Sequence, residues 1–214
     1  ALPRYILDHA ANCIHYPALT DKKADIGVIF IPGRHSCDTY AEINEAASRL
    51  RKCVFLVGGD EEGIFHADRL EHPRKKVWWL MPPFHPKQEV DRVGPNGWPT
   101  HAPEMIAEAM SRTHGERDLD WSFMGQVTHS RRIECIAATQ WLDMDKSYTL
   151  PTNGFTQGEP REKYYEIMVR SKFVLCPSGP CTPDSFRISE ALEAGCVPIV
   201  DNLTQHADYP PGYW

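Results

Sequence analysis

Short apolar runs, each stopped by glycine or proline and separated by helix-spaced segments, recur along the whole chain and restrict it to an α/β arrangement. From Asp25, IGVIFIPG is a continuous β-branched run ended by Pro-Gly, the pattern of a strand buried on both faces of a parallel sheet. Tyr40, Ile43, Ala46, Ala47 and Leu50 then recur at helical spacing, and the basic end Arg49-Arg51-Lys52 suits the helix dipole. CVFLVGGDEEG and KVWWLMPPF read as further strands ending in Gly-Gly and Pro-Pro, which completes a Rossmann-like half. The polar stretch from His85 to Pro103 reads as a linker or substrate loop, with a helix following from about Pro103 to Arg112. The pattern restarts at WSFMG with the helix SRRIECIAATQWL, then a loop, a helix around Arg161 to Arg170, the strand KFVLCPSG, the helix SFRISEALEAG and the strand CVPIV.

Two small Rossmann-like lobes with parallel sheets are therefore expected, one over residues 1–115 and one over 116–214. The tail DNLTQHADYPPGYW ends too soon for a complete second doubly wound lobe, so the second lobe is read as short or truncated. The 214 residues, 42% of them hydrophobic and 24% charged, have an ordinary globular composition that excludes a fibrous or disordered chain. Lys+Arg 23 against Asp+Glu 29 gives a net charge of −6, which disfavours nucleic acid as a partner because its backbone demands a basic excess. No run approaches the roughly 18 apolar residues of a membrane-spanning helix, and the start ALPRYILDHA lacks a signal-peptide pattern. Seven cysteines, several in apolar runs and none in a C-x-x-C pair, favour a reducing, cytoplasmic compartment. A start at Ala1 and the sequon Asn202-Leu203-Thr204 leave a Golgi or secretory lumen open, should an N-terminal anchor have been removed.

The block from Tyr164 to Asn202 carries the chemistry. It places a Gly/Ser/Pro loop at the carboxyl end of a buried strand and opens a helix there, so that backbone N–H groups and the helix dipole face a crevice suited to phosphate. Arg187 can bond phosphate oxygens in bidentate fashion, and Glu190 can accept both hydroxyls of a ribose. Three residues apart on a helix, the two could instead form only a surface salt bridge. The order YYEIMVRSKF, VLCPSG, SFR, SEALEAGCVPIV resembles the donor-site signature of exostosin-like (GT47-type) glycosyltransferases of the GT-B fold, and WSFMGQVTHSRR resembles the start of their donor lobe.

The resemblance implies a glycosyltransferase that moves a sugar from a nucleotide-diphosphate sugar, with UDP-sugars favoured, to a hydroxyl acceptor such as a glycan. In that scheme residues 1–115 form the acceptor lobe and 116–214 the donor lobe. Ser185 and Arg187 would contact the diphosphate, Glu190 the ribose, and Gly125 with Arg131 or Arg132 the other side of the phosphates. No metal is called for, because Arg side chains and helix N-termini meet the leaving-group charge. The acidic residue that related retaining enzymes carry eight positions before the helix Glu is Thr182 here.

An inverting transfer also needs a base, for which the strand-end loops of the first half offer Asp60, His35 and Glu61, with His85 on a third loop. Asp143-Met144-Asp145 imitates a metal-binding Asp-x-Asp but follows a helical segment, and the ten histidines are scattered singly. Among Trp78, Trp79 and Trp98, a sugar-stacking platform competes with core packing. The alternatives are a non-catalytic nucleotide- or glycan-binding module, a fucosyltransferase-like GT-B enzyme and a DNA-base glycosyltransferase.

Overall fold

The structure, a computed structural model, describes residues 24–32, 39–58, 60, 63–80, 88–95, 97, 99, 101–141, 145–154 and 157–201. They fall into two units that change over between residues 96 and 97.

In the first unit, strands β1 (Ala24–Pro32), β2 (Leu50–Gly58), β3 (Lys75–Leu80) and β4 (Arg92–Gly94) form a parallel sheet in the order β1-β2-β3-β4. Helix α1 (Thr39–Ser48) connects the first two strands. Phe30, Leu56, Trp78 and Arg92 stand in one row across the sheet. The alternate positions Ile29, Ile31, Phe55, Val57, Val77 and Trp79 are buried and share a core with Tyr40, Ile43 and Ala47 of α1. Phe65 joins this core between the rings of Tyr40 and Trp79, at 6.5 and 5.6 Å. The continuous apolar run of β1 leads one to expect burial on both faces, but β1 lies at the sheet edge with Ile26 60% and Phe30 42% exposed. Trp79 is a core residue, whereas Trp78 faces outward.

The second unit contains α2 (Ala102–Thr113), β5 (Leu119–Gln126), α3 (Ser130–Ala138), β6 (Ser147–Thr152), α4 (Arg161–Arg170), β7 (Ser171–Leu175), α5 (Phe186–Glu193) and β8 (Val197–Ile199). Its sheet is parallel in the order β6-β5-β7-β8. Residues Trp121, Phe123 and Leu175 pack with Cys135 and Ile136 of α3. Val174 and Cys176 point the other way, into a core formed with α2, α4 and α5. Helix α2 falls within the sequence interval 1–115, yet its Ala102, Ile106 and Ala109, spaced along one stripe, are buried in this second core. Arg117 pins the far side, donating to Ser171 O at 2.6 Å and Ala194 O at 2.7 Å. Gly195 ends α5 in the left-handed region at φ +67°, the usual position of a terminating glycine.

Two strands escape a sequence reading. Strand β4 lies inside the stretch read as a loop, and β6 in the loop between two helices; both are sheet edges. An edge strand needs no continuous apolar run, and it tolerates a proline such as Pro151. Among the described residues no helix is long and apolar enough to cross a membrane.

Candidate functional site

The two sheets differ in a way that matters for ligand binding. The first is laid down in one direction, β1 to β4, whereas in the second the chain goes from β5 outward to β6 and then crosses back to β7 on the other side. The connections leaving β5 and β7 therefore diverge, and the carboxyl ends of these neighbouring strands form the switch point at which open α/β sheets bind ligands. Gly125 and Gln126 end β5 and His129 follows it, and the loop from Cys176 to Ser185 follows from β7.

Arg187, in the first turn of α5, reaches this edge. Its Nη2 donates to Met124 O at 2.7 Å, and its guanidinium lies 5.1 Å from the centre of the Phe123 ring. Its Nε and Nη1 are buried without a hydrogen-bond partner among the described residues. The salt bridge that three-residue spacing allows with Glu190 does not form. A buried donor left unsatisfied costs about 1–3 kcal/mol, and more when it is charged, so Arg187 is held here at a cost. Gly125 adjoins the same group, since a Cβ there would collide with Arg187 Nη2.

Ser185 is the N-cap of α5, its Oγ accepting from Arg187 N at 3.4 Å. Asp184, buried beside it, accepts from Ser185 N at 2.7 Å. Thr182, at the position where related retaining enzymes are acidic, accepts from Asp184 N and shapes the same loop.

Arg131 and Arg132 act differently from Arg187. Arg131 donates to Ser178 Oγ at 2.9 Å, Gly179 O at 2.6 Å and Pro180 O at 3.0 Å, while Arg132 donates to Gln126 O at 3.0 Å and Ser178 O at 3.3 Å. Both brace the loop after β7 against the start of α3. Asp201 closes the brace, bonding Ser178 N at 3.2 Å and lying 3.8 Å from Arg131 Nε.

Glu190, one turn beyond Arg187, is only 6% exposed. Its Oε2 accepts from Tyr164 Oη and its Oε1 from Tyr165 Oη, both at 2.8 Å. Burial and the nearby Glu190 charge push both phenols up, so they remain O–H donors. Burial also pushes the Cys176 thiol up to about 12, which leaves it a small apolar neighbour of the site.

A sequence reading does not single out His129, Tyr164, Tyr165 or Asp201. The first lies within WSFMGQVTHSRR and the tyrosines open the block described above, but their partners are set by tertiary packing. Neither ring nitrogen of His129 meets a partner in good geometry among the described residues, though the Ser178 backbone lies close by. Burial, with the charges of Arg132 and Arg131, lowers its pKa.

Asp60 belongs to the first unit, follows β2 and is 2% exposed. Its two carboxylate oxygens accept from Ile64 N at 2.8 Å and Phe65 N at 2.9 Å, which fixes the turn that inserts Phe65 into the core. His35, Glu61, His85, Trp98 and Asp143 lie outside the described residues. Asp145 stands in a turn after the short 3-10 helix Thr139–Trp141.

Residues 104–209, just under half of the chain, match the RXYLT1 C-terminal domain. The match supports a glycosyltransferase-like family for this part of the protein, and it spans the switch point, both bracing arginines, the tyrosine pair and α5. No curated protein matches the chain.

Proposed function

We propose that the protein is a glycosyltransferase that binds a nucleoside-diphosphate sugar at the switch point of its second unit and transfers the sugar to a hydroxyl acceptor, in the manner of GT-B enzymes. The observation that carries this reading is Arg187, a partly buried cation with two buried donors unmet among the described residues beside a glycine and a helix N-terminus. Diphosphate oxygens would accept from Nε and Nη1, with the dipole of α5 favouring the same charge. Ser185 would lie against the phosphates at the cap, and Glu190 would take the ribose. Arg131 and Arg132 would hold the loop in shape instead of contacting phosphate.

As the leaving group departs, its charge would be met by this fixed guanidinium and the α5 dipole, with no metal required. UDP-sugars are the favoured donors, and because the matched family is xylosyltransferase-like, UDP-xylose comes first among them. Asp60, His35 and Glu61 remain the proposed bases for the acceptor hydroxyl.

A second reading, a non-catalytic nucleotide-binding module, draws on Asp60, whose carboxylate is engaged by two backbone donors. Isothermal titration with UDP in excess EDTA tests the common core of both. Affinity lowered about a hundredfold by Arg187→Ala is expected, the scale of a lost hydrogen bond to a charged group, and no heat from UDP or UDP-sugars would end the proposal. Transfer from UDP-xylose, followed as UDP release with a panel of glycan acceptors, separates enzyme from module.

A further inference from the structure

Glu190 is an expensive residue to bury. A carboxylate taken out of water needs a cation or several donors, and an apolar residue of the same volume would often leave a core as stable or more so. Here both donors are neutral phenols from consecutive residues of α4, one on each oxygen. The rings are packed edge to face with centres 5.0 Å apart, and His101 packs edge-on against Tyr165 at 6.2 Å. The carboxylate is thereby fixed in plane and position, yet each oxygen can accept a second hydrogen bond.

We propose that Tyr164 and Tyr165 are positioning residues that set Glu190 as a reader of vicinal hydroxyls, making the site selective for ribonucleotides over deoxyribonucleotides. This rests on the donor-site reading above. Two phenols clamping one carboxylate leave it two free lone pairs, which suits the adjacent 2′ and 3′ hydroxyls of a ribose. A freely rotating carboxylate would have to be ordered on binding and would discriminate less. The phenol hydroxyls bond Glu190 and reach the ligand only through it in this scheme, so their loss acts on the sugar hydroxyls and leaves the phosphate contacts of Arg187 in place.

The test uses the whole chain and three probes, UDP, 2′-deoxy-UDP and 2′,3′-dideoxy-UDP, with dissociation constants from titration calorimetry. Tyr164→Phe and Tyr165→Phe are each expected to lower the preference for UDP over 2′-deoxy-UDP by roughly three- to tenfold, the scale of one weakened hydrogen bond to a charged group. Affinity for the dideoxy probe should hold within about twofold, which a general loosening of the fold would not permit. Tyr165 lies in the core, so if its variant does not fold, the half-buried Tyr164 reads the effect alone. A preference unchanged in a folded Tyr164→Phe protein overturns the proposal while leaving the donor site standing. Failure of the wild-type protein to bind UDP overturns both.

Discussion

Gly125 vacates the space that Arg187 fills: a Cβ at position 125 would overlap Nη2, the atom that donates to Met124 O at 2.7 Å. The contact joins the end of β5 to the first turn of α5 across the switch point, so strand and helix fix the guanidinium together. The colliding atom is the far end of a flexible side chain, so a methyl group at 125 would displace the guanidinium, and the φ of +157° there would strain the backbone of alanine as well. Gly125→Ala is thus expected to weaken UDP binding about tenfold, near 1.4 kcal/mol, with a stability loss in the range of about 1–3 kcal/mol for overpacking. The double variant with Arg187→Ala should bind UDP no worse than Arg187→Ala alone, since both changes act through one group. Additive losses in titration calorimetry would refute the coupling.

Arg187 also carries a stability cost in the unliganded protein. Its charge is partly buried with two nitrogens unpartnered among the described residues, offset by one carbonyl bond and the Phe123 ring. Arg187→Met keeps most of the apolar stem and removes the charge, so the melting temperature without ligand should be unchanged or higher while UDP no longer raises it. Arg187→Lys should fail to restore binding, because an ammonium lacks the planar fork of donors. A marked fall in stability for Arg187→Met would make the guanidinium a structural strut instead of a ligand group.

Much of this was legible in the order of residues, and the gaps have physical causes. Core strands announce themselves as apolar runs, which is why β2, β3, β5 and β7 stand out. The edge strands β4 and β6 are packed on fewer sides and need no such run. For the site, the SFR-x-x-E spacing identifies Arg187 and Glu190, and glycine after WSFM identifies the facing strand. What spacing does not encode is which partner each group chooses. Arg187 turns to Met124 and Glu190 to two tyrosines, so a pair that could have bonded across three residues does not. Arg131 and Arg132, alike in sequence context to a phosphate pair, are spent on the carbonyls of the loop after β7 and on Gln126 O at the end of β5.

His129 gives the second unit a pH dependence. Burial and the adjacent charges of Arg132 and Arg131 hold its pKa below the ordinary histidine value of 6.5, so the unfolded chain takes up a proton before the folded one does. Stability from this residue is therefore full above about pH 6.5 and is lost as pH falls through that value toward the lower folded pKa. Replacing it with Gln, which stays neutral, should flatten this acid limb. Urea denaturation at pH 5.5 and 7.5 would check it: an equal difference between the two pH values in wild type and His129→Gln would remove His129 as the cause.

Asp60 separates a turn-holding role from a catalytic one. Its carboxylate accepts two backbone N–H bonds at 2.8 and 2.9 Å at a 2% exposed position, and the turn it holds carries Phe65 into the core of the first unit. Each bond to a charged acceptor contributes about 1.5–3 kcal/mol, so Asp60→Ala should destabilise this unit by a few kcal/mol whatever the reaction. Asp60→Asn distinguishes the roles, because its amide oxygen can keep one of the two bonds while the side chain loses all capacity to take a proton. A base lost in this way should lower transfer from UDP-xylose by about 10²–10⁴, at a UDP affinity equal to that of the wild type. Full turnover in a folded Asp60→Asn protein would confine Asp60 to the turn and direct the search for the base to His35 and Glu61.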